Sequence, residues 1–196
     1  MAHIGVLAVQ GAFARHADVL RALSHDVSLV RAARDFDTLE GLVLPGGEST
    51  VQLDLIGRFG LEVPLRELIA RGVPVLATCA GLILLAKTVE SPAQPSFGAL
   101  DVDLTRNAWG RQLDSFEAQE DSEAGLPLIF IRAPRITRVG PTVEVLARYR
   151  GEPVLVRERN ITAATFHPEL TADTRVHRSV FGGERTEAVS SMAEQS

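Results

Sequence analysis

The sequence predicts an α/β fold built on a mostly parallel sheet, and two patterns along the chain support this prediction. In the first half, short apolar runs alternate with amphipathic segments, which is typical of βαβ units with helices on both faces of a sheet. From residue 97 to residue 164 the chain instead carries short β-like runs separated by turn residues. We therefore expect the second half to add antiparallel strands to the same sheet.

The composition is that of a globular domain with an acidic balance of charge. The 196 residues are 45% hydrophobic and carry a formal net charge of −5, which disfavours a protein that binds nucleic acid or anionic membranes. We expect a single domain over residues 1–181, followed by a flexible tail over residues 182–196, which are mostly polar.

The sequence shows no pattern typical of a membrane or secretory segment. The amino-terminal residues lack the basic region and the apolar run of a signal peptide. The longest uncharged stretch, residues 72–86, is shorter than the roughly 20 residues that span a bilayer. A cytoplasmic protein is therefore expected. The single cysteine, Cys79, excludes an intrachain disulfide and a cysteine-based zinc site, and no metal is expected.

The predicted elements of the first half are bounded by residues that begin or end regular structure. Apolar runs predict strands at 3–9, 26–30, 41–44 and 73–78. Amphipathic spacing predicts helices at 13–23, 49–58, 62–71 and 80–87. Gly11 precedes the first helix, Ser49 can cap the second, and Gly60 and Gly72 end the second and the third.

The second half has shorter β-like runs and one closing helix. Strands are predicted at 100–104, 128–131, 143–149, 153–157 and 161–165. Turns at Arg150-Gly151-Glu152 and Arg159-Asn160 separate the last three of these strands. The closing helix is predicted over residues 173–181.

Cys79 is the first candidate for a catalytic residue. A buried strand is predicted to end at Thr78, and a helix is predicted to start directly after the cysteine. Small residues at Ala77, Ala80 and Gly81 permit the sharp strand-to-helix turn that presents a nucleophile at the edge of the sheet. A helix amino terminus also favours the thiolate form of a cysteine. A buried structural cysteine at a strand–helix junction is the alternative.

His167 and Glu169 are candidates for the groups that would activate this thiol. Both follow the predicted strand at 161–165, and residues i and i+2 of an extended backbone project to the same side. The carboxylate can therefore orient the imidazole while the other ring nitrogen faces the sulfur. A lone His-x-Glu is a weak signal, but with a cysteine at such a turn it predicts a triad. The other histidines lack metal-ligand spacing and are expected to be structural or solvated, namely His3, His16, His25 and His177.

The segment LPGGEST, residues 44–50, follows the predicted strand at 41–44. Two glycines, Gly46 and Gly47, allow backbone N–H groups to approach a ligand closely, so the loop can bind an oxyanion. The alternative is an ordinary Pro-Gly turn before a helix that Ser49 caps. The P-loop signature GxxxxGK[ST] is absent from the sequence, so phosphate binding of that kind is not predicted.

LPGGEST, TCAG and FHPEL, in this order, resemble the motifs of class I, triad-type glutamine amidotransferases. A finer resemblance is to the glutaminase subunits of pyridoxal 5′-phosphate synthase, and it covers nearly the whole chain through about Phe181. It depends on these segments: GVLAVQGAFARH (5–16), RNAWGRQ (106–112), SFE (115–117), FIRAP (130–134), VLAR (145–148) and FHPELTADTRVH (166–177). The resemblance implies a flavodoxin-like three-layer sandwich and hydrolysis of glutamine to glutamate and ammonia.

The resemblance also implies roles for particular residues. Cys79 would be the nucleophile, and His167 and Glu169 would complete the triad. The implied glutamine-binding residues are Gly47, Glu48, Ser49, Arg106, Ile131 and Arg132. The implied backbone donors to the oxyanion are Gly46, Gly47 and Ala80. No cofactor is implied. The implied partner is a (β/α)8-barrel subunit, in a hetero-oligomer, that uses the ammonia to make pyridoxal 5′-phosphate from ribose 5-phosphate and glyceraldehyde 3-phosphate.

Three alternatives remain at this point. Another glutaminase branch, such as the partner in histidine biosynthesis, would share the same triad. A cysteine peptidase or deglycase on the same fold would share the sharp strand-to-helix turn at the cysteine, which is called a nucleophile elbow. The segments RNAWGRQ and FIRAP argue against this alternative. A binding module with a buried cysteine would have no reactive thiol.

Overall fold

The computed structural model describes residues 1–106, 115–123 and 125–182. Its helices are α1 (Phe13–Ala22), α2 (Ser49–Arg58), α3 (Glu62–Ala70), α4 (Ala80–Leu85) and α5 (Arg175–Phe181). Its strands in the first half of the chain are β1 (His3–Leu7), β2 (Asp26–Val30), β3 (Gly41–Leu44), β4 (Val75–Thr78) and β5 (Ala86–Glu90). The later strands are β6 (Leu100–Thr105), β7 (Ser115–Gln119), β8 (Pro127–Ile131), β9 (Arg135–Val139), β10 (Glu144–Tyr149), β11 (Glu152–Glu158) and β12 (Ile161–Ala164).

The main sheet has seven strands in the order β10-β11-β12-β4-β3-β1-β2. The five adjacent strands β12, β4, β3, β1 and β2 run parallel to one another. The remaining two pairings, of β10 with β11 and of β11 with β12, are antiparallel. Because parallel strands end at the same edge, the segments after β1, β3, β4 and β12 meet there. The predicted oxyanion loop, Cys79 and His167 all belong to those segments.

Each face of the main sheet is covered by helices, which makes the structure a three-layer sandwich. Along β3, Leu42 and Leu44 pack into one apolar cluster and Val43 packs into the other. The first cluster includes Ile56 of α2, Leu65 of α3 and residues of α4. The second includes Leu20 of α1 and Val176 of α5. The parallel strands are therefore buried on both sides, as their uninterrupted apolar sequences predict.

The second half of the chain departs from the prediction of a single extended sheet. Strands β10, β11 and β12 join the main sheet, but β6 pairs with β5 and β9, and β8 pairs with β7. The reason is the one-sided burial of these strands. Leu100, Val102 and Leu104 of β6 pack on one apolar cluster of the main sheet, and Phe130 of β8 packs on the other. These strands therefore cover the sheet instead of extending its edge.

Several predicted boundaries were also wrong by one or two residues: β1, for example, ends at Leu7 instead of residue 9, and β4 begins at Val75 instead of residue 73. The helix expected over 80–87 ends at Leu85, and β5 starts at Ala86, because Thr88 and Val89 favour an extended chain that pairs with β6. The closing helix begins at Arg175 instead of residue 173. The Asp173 carboxylate accepts a hydrogen bond from the Arg175 N–H at 2.9 Å, so it lies just before the helix.

Two segments used in the sequence analysis lie partly outside the described residues. Residues 107–112 of RNAWGRQ are outside, and so are residues 183–196 of the predicted tail. None of the helices formed by the described residues is long and apolar enough to cross a membrane.

Gly81 sets the distance between α4 and the sheet. A Cβ at Gly81 would clash with the carbonyl oxygen of Leu44, whereas a Cβ at Gly57, in α2, would meet no atom within 4 Å.

We expect Gly57→Ala to raise the free energy of unfolding by about 0.5–1 kcal/mol, because alanine favours helix. Gly81→Ala should lower it by about 1–3 kcal/mol, because a backbone atom cannot move aside as a side chain can. Urea unfolding of both variants measures this. Equal effects of the two substitutions would contradict this account of the packing.

Candidate active site

A cavity of about 230 Å³ opens at the edge of the sheet where the parallel strands end. It is smaller than the roughly 300–1,000 Å³ typical of drug-sized ligands, which suits a single amino acid. Eight of the residues predicted from sequence line it, together with Gln10 and Ile83. The eight are Gly47, Glu48, Ser49, Cys79, Arg106, Ile131, Arg132 and His167. Of the other predicted residues, Glu169 lies behind His167, and Gly46 and Ala80 do not line the cavity.

Cys79 lies between β4 and α4 in a backbone conformation that only glycine adopts easily. Its φ is 47° and its ψ is −99°, and its N–H donates to the Ala164 carbonyl at 2.8 Å. Such a conformation costs about 1–3 kcal/mol and persists only where the surroundings impose it, typically at functional sites. The side chain is 5% exposed, and its sulfur is 3.9 Å from the Ile131 carbonyl oxygen. The predicted nucleophile elbow is therefore present in the structure.

His167 and Glu169 follow β12 and are held together by a buried hydrogen bond. The His167 Nδ1 and Glu169 Oε1 atoms are 2.7 Å apart. The His167 N–H donates to the Ile129 carbonyl at 2.8 Å, which fixes the backbone that carries the ring. A Cβ at Gly46 would clash with the imidazole, so a glycine is needed where the loop passes the ring. The predicted arrangement of Glu169 behind the imidazole is the one observed.

The charges of this pair are set by burial and by hydrogen bonds. Burial lowers the pKa of His167, but its hydrogen bonds with Cys79 and Glu169 outweigh that effect and raise the pKa to about 10. Burial would raise the pKa of Glu169, but the facing His16 and His167 rings hold it below its usual value. At neutral pH the site therefore contains an imidazolium beside the sulfur, and a cation in that place favours a thiolate nucleophile.

The backbone of the glycine loop differs from the prediction at Gly46. The Gly46 N–H donates to the Thr78 hydroxyl at 3.0 Å, so it is not a donor to an oxyanion. The Gly46 carbonyl accepts from the Ala12 N–H at 2.9 Å. Because the C=O and N–H of a trans peptide point in opposite directions, this bond turns the Gly47 N–H away from Ala12.

Two backbone donors remain for an oxyanion. Within the described part of the chain, no group accepts a hydrogen bond from the Gly47 N–H, and Gly47 lines the cavity. Ala80 is the first residue of α4, so its N–H has no acceptor inside the helix. The structure therefore supports Gly47 and Ala80 in this role and corrects the assignment of Gly46.

Two side chains of opposite charge also line the cavity. An Arg106 guanidinium nitrogen is 3.2 Å from Glu48 Oε1, and the two side chains are 13% and 38% exposed. The Glu48 N–H donates to Gln10 Oε1 at 2.9 Å. Arg132 has a φ of 43°, a second strained backbone at the cavity. A cation and an anion side by side suit a ligand that carries both charges, such as the α-carboxylate and α-ammonium groups of an amino acid.

Sequence reasoning missed several residues of the site. Gln10 lies just beyond β1, at the same edge of the sheet, and that position was the available signal. His16 precedes Leu20 by four residues on the buried face of α1, which a helical projection indicates. Gln94 accepts a hydrogen bond from the Ser49 hydroxyl at 2.8 Å, and no local pattern predicts it. Among the described residues, no three His, Cys, Asp or Glu side chains are grouped to hold a metal ion.

Solved structures place the chain in a known class. A crystal structure of a glutamine amidotransferase matches with a TM-score of 0.86 and 42% sequence identity, covering 91% of this chain and 97% of that one. The structure of PurLQS from Thermotoga maritima matches with a TM-score of 0.66 and 17% identity, covering 90% and 92% of the two chains, and supports the fold alone. The expected α/β fold class is thereby confirmed.

The sequence comparisons define the family. The SNO glutamine amidotransferase family matches over residues 6–182. A protein named pyridoxal 5′-phosphate synthase subunit PdxT from Koribacter versatilis is 54% identical over 179 residues, covering 89% of this chain and 91% of the relative. One of the same name from Cutibacterium acnes is 50% identical over 188 residues, covering 90% and 94%. This chain belongs to the SNO glutamine amidotransferase family, and the resemblance drawn from its motifs is confirmed.

The strained backbone at Cys79 leads to a prediction about stability. In an ordinary strand or helix, glycine is less stable than alanine by about 0.5–1 kcal/mol. We expect the reverse here, with Cys79→Gly unfolding at a higher urea midpoint than Cys79→Ala, because glycine relieves the positive φ. Ala77→Gly, two residues earlier in β4, is the matched control and should be destabilising. A Cys79→Gly midpoint below that of Cys79→Ala would show that the elbow is not strained.

Gly11 offers a test of the Gly46–Gly47 peptide orientation. A Cβ at Gly11, where φ is +99°, would clash with the Gly46 carbonyl oxygen that Ala12 holds. Gly72 has a φ of +81° and open space around it. Both alanine variants lose about 1–2 kcal/mol of stability from backbone strain. Only Gly11→Ala should also lower kcat, by up to about 10²–10³-fold, because it displaces an oxyanion donor. Similar kcat values for the two variants would contradict the role of this peptide.

Proposed function

We propose that this chain hydrolyses L-glutamine to L-glutamate and ammonia through a thioester on Cys79, and that it supplies the ammonia to the synthase subunit of pyridoxal 5′-phosphate synthase. The family and the names of the curated relatives support both the activity and the pathway. The observation that carries the residue assignment is the strained cysteine beside a buried His167–Glu169 pair.

The reaction follows from the positions of these groups. The Cys79 thiolate attacks the side-chain carbonyl carbon of glutamine, and the Gly47 and Ala80 N–H groups stabilise the oxyanion. The His167 imidazolium donates its proton to the leaving nitrogen, so ammonia departs and a thioester remains. Neutral His167 then takes a proton from water, the resulting hydroxide attacks the thioester, and glutamate leaves as the thiolate–imidazolium pair is restored.

The Arg106–Glu48 pair in the cavity gives the specificity for a free amino acid. Arg106 binds the α-carboxylate, because its planar fork matches a carboxylate, and Glu48 accepts from the α-ammonium group. Gly47, Ser49 and the Ile131–Arg132 backbone form the remaining walls. A peptide substrate lacks one or both of these charges at its reacting residue, which argues against the peptidase alternative.

The partner and the domain organisation are part of the same proposal. The curated relatives carry the name of a synthase subunit, and the motif resemblance implies that the other subunit is a (β/α)8 barrel in a hetero-oligomer. The cores on the two faces of one sheet support a single catalytic domain over residues 1–181. A cytoplasmic location stays a prediction.

The test is to separate ammonia supply from ammonia use. The chain and the synthase subunit are mixed with ribose 5-phosphate, glyceraldehyde 3-phosphate and either glutamine or an ammonium salt, and pyridoxal 5′-phosphate is followed by its absorbance. Cys79→Ala should abolish synthesis from glutamine and leave synthesis from ammonium unchanged. His167→Asn should lower synthesis from glutamine by about 10²–10⁴-fold. Synthesis from glutamine by Cys79→Ala would refute the proposal.

A further inference from the structure

A cluster of buried polar side chains lies behind the triad, and the mechanism above does not use it. His16 of α1, His177 of α5 and Thr78 of β4 are all 0% exposed. His16 Nε2 is 3.3 Å from Glu169 Oε2 and 3.1 Å from the Thr78 hydroxyl oxygen. His16 Nδ1 is 3.0 Å from His177 Nε2. Three elements that are distant in sequence therefore meet around the His16 ring, which faces the carboxylate of Glu169.

The chemistry of the carboxylate decides where the protons are. Ionised Glu169 can only accept hydrogen bonds, and its Oε1 accepts from His167 Nδ1. Oε2 is buried and makes no hydrogen bond of regular geometry within the described part of the chain, and the ring nitrogen that faces it, at 3.3 Å, is His16 Nε2. A lone pair on Nε2 would be repelled by the negative charge on Oε2, so His16 carries its proton on Nε2, which makes Nδ1 an acceptor. His177 must then donate from its own Nε2, so the two rings are ordered in one direction, toward Glu169.

Both of these histidines are neutral at physiological pH. Burial, opposed by the charge of Glu169 and assisted by that of His167, lowers the pKa of His16 to about 4. Burial, together with His16, lowers the pKa of His177 to about 3. His16 therefore faces Glu169 as a neutral donor and adds no second cation beside the His167 imidazolium.

We propose that His16 is a positioning residue of the triad, whose Nε2–H faces the second oxygen of Glu169 and by this attraction keeps the carboxylate directed at His167. A carboxylate bound through one oxygen can rotate about its last torsion, which has broad minima. A buried oxygen without a donor also destabilises the ionised form. The attraction between the His16 N–H and Oε2, whose nitrogen and oxygen are 3.3 Å apart, reduces both effects. The inference rests on the proposed roles of Cys79, His167 and Glu169.

The same ring is linked to the oxyanion loop. The Thr78 hydroxyl that lies beside His16 Nε2 accepts the Gly46 N–H at 3.0 Å. Gly46 precedes the proposed donor, Gly47. His16 therefore contacts, on one side, the carboxylate that orients the base and, on the other, the hydroxyl that fixes the loop.

Two variants of equal polarity test the proposal. In His16→Asn, the shorter amide replaces the Nδ1 side of the ring, so it can still accept from His177 but does not reach Glu169. In His16→Gln, the longer amide can donate where Nε2–H does. Leu20→Val, one turn later on the same buried face of α1, is the control for a loss of packing that does not touch the triad.

The first measurement is the rate of alkylation by iodoacetamide against pH. Cys79 is the single cysteine of the chain, so the modification reports this thiol alone. We expect His16→Asn to move the acid limb of the profile up by about one pH unit, because a Glu169 without its donor is protonated more easily and the imidazolium then loses its counter-ion. His16→Gln should restore the wild-type limb. Leu20→Val should lower the thermal midpoint without moving the limb.

The second measurement is steady-state glutamine hydrolysis in the presence of the synthase subunit. His16→Asn should lower kcat by about 10-fold with an unchanged KM, because the substrate lies on the other side of the triad. Equal acid limbs for His16→Asn and wild type, or for His16→Asn and His16→Gln, would overturn the proposal. If wild type fails to hydrolyse glutamine while the alkylation shift is present, the proposed function is wrong and the positioning role stands.

A third measurement needs no variant, and it decides the matter should His16→Asn fail to fold. ¹⁵N NMR of the histidine-labelled chain at pH 7 distinguishes the two neutral tautomers of imidazole. We expect both His16 and His177 to carry the proton on Nε2. A His16 ring protonated on Nδ1 would overturn the proposal, because its Nε2 would then have no proton for Glu169.

Discussion

The buried hydrogen bond between Glu169 and His167 is the interaction on which the rest of the site depends. A carboxylate that is 4% exposed is destabilised by its surroundings unless positive charge and donors compensate. The His167 imidazolium provides that charge, and in turn the pKa of His167 is raised because Glu169 and Cys79 lie against it. The charges of His167 and Glu169 therefore depend on each other, and removing one group changes the charge of the other. This mutual dependence is why burial, which opposes each charge alone, is compatible with both.

The fold places these groups by ending parallel strands at one edge. Cys79 follows β4, the glycine loop follows β3, and His167 lies three residues beyond β12, which is the neighbour of β4 on its other side. The distances between strands are fixed by backbone pairing, for example Ala164 opposite Thr78. The strain at Cys79 is sustained because its N–H is paired with the Ala164 carbonyl and its helix is packed against β3 through Gly81. Strand pairing and strain together determine where the sulfur lies.

The sequence was sufficient wherever the structure depends on local chain geometry. The elbow follows from small residues around Cys79, and the contact of His167 with Glu169 follows from their spacing of two. The role assigned to Gly46 was wrong because the direction of a peptide N–H depends on a partner elsewhere, the Thr78 hydroxyl. The contact between His16 and Glu169 joins residues more than 150 positions apart, which no local pattern contains. Likewise, the sequence of β6 is that of an ordinary strand and does not show which sheet it joins. The strand covers the main sheet because Leu100 packs on the apolar cluster there.

Helix α1 contributes no atom to the proposed reaction, yet it supports the site at two points. The N–H of Ala12, which immediately precedes α1, holds the Gly46 carbonyl, and His16, one turn later, faces the triad carboxylate. Hydrogen bonds weaken steeply when their length or angle changes, so a small displacement of α1 would loosen the oxyanion loop and the carboxylate together. The amino-terminal segment GVLAVQGAFARH, which lies far in sequence from the triad, therefore contributes to the geometry of the site. The positions of the oxyanion loop and of the triad carboxylate therefore both depend on the docking of α1 against the sheet.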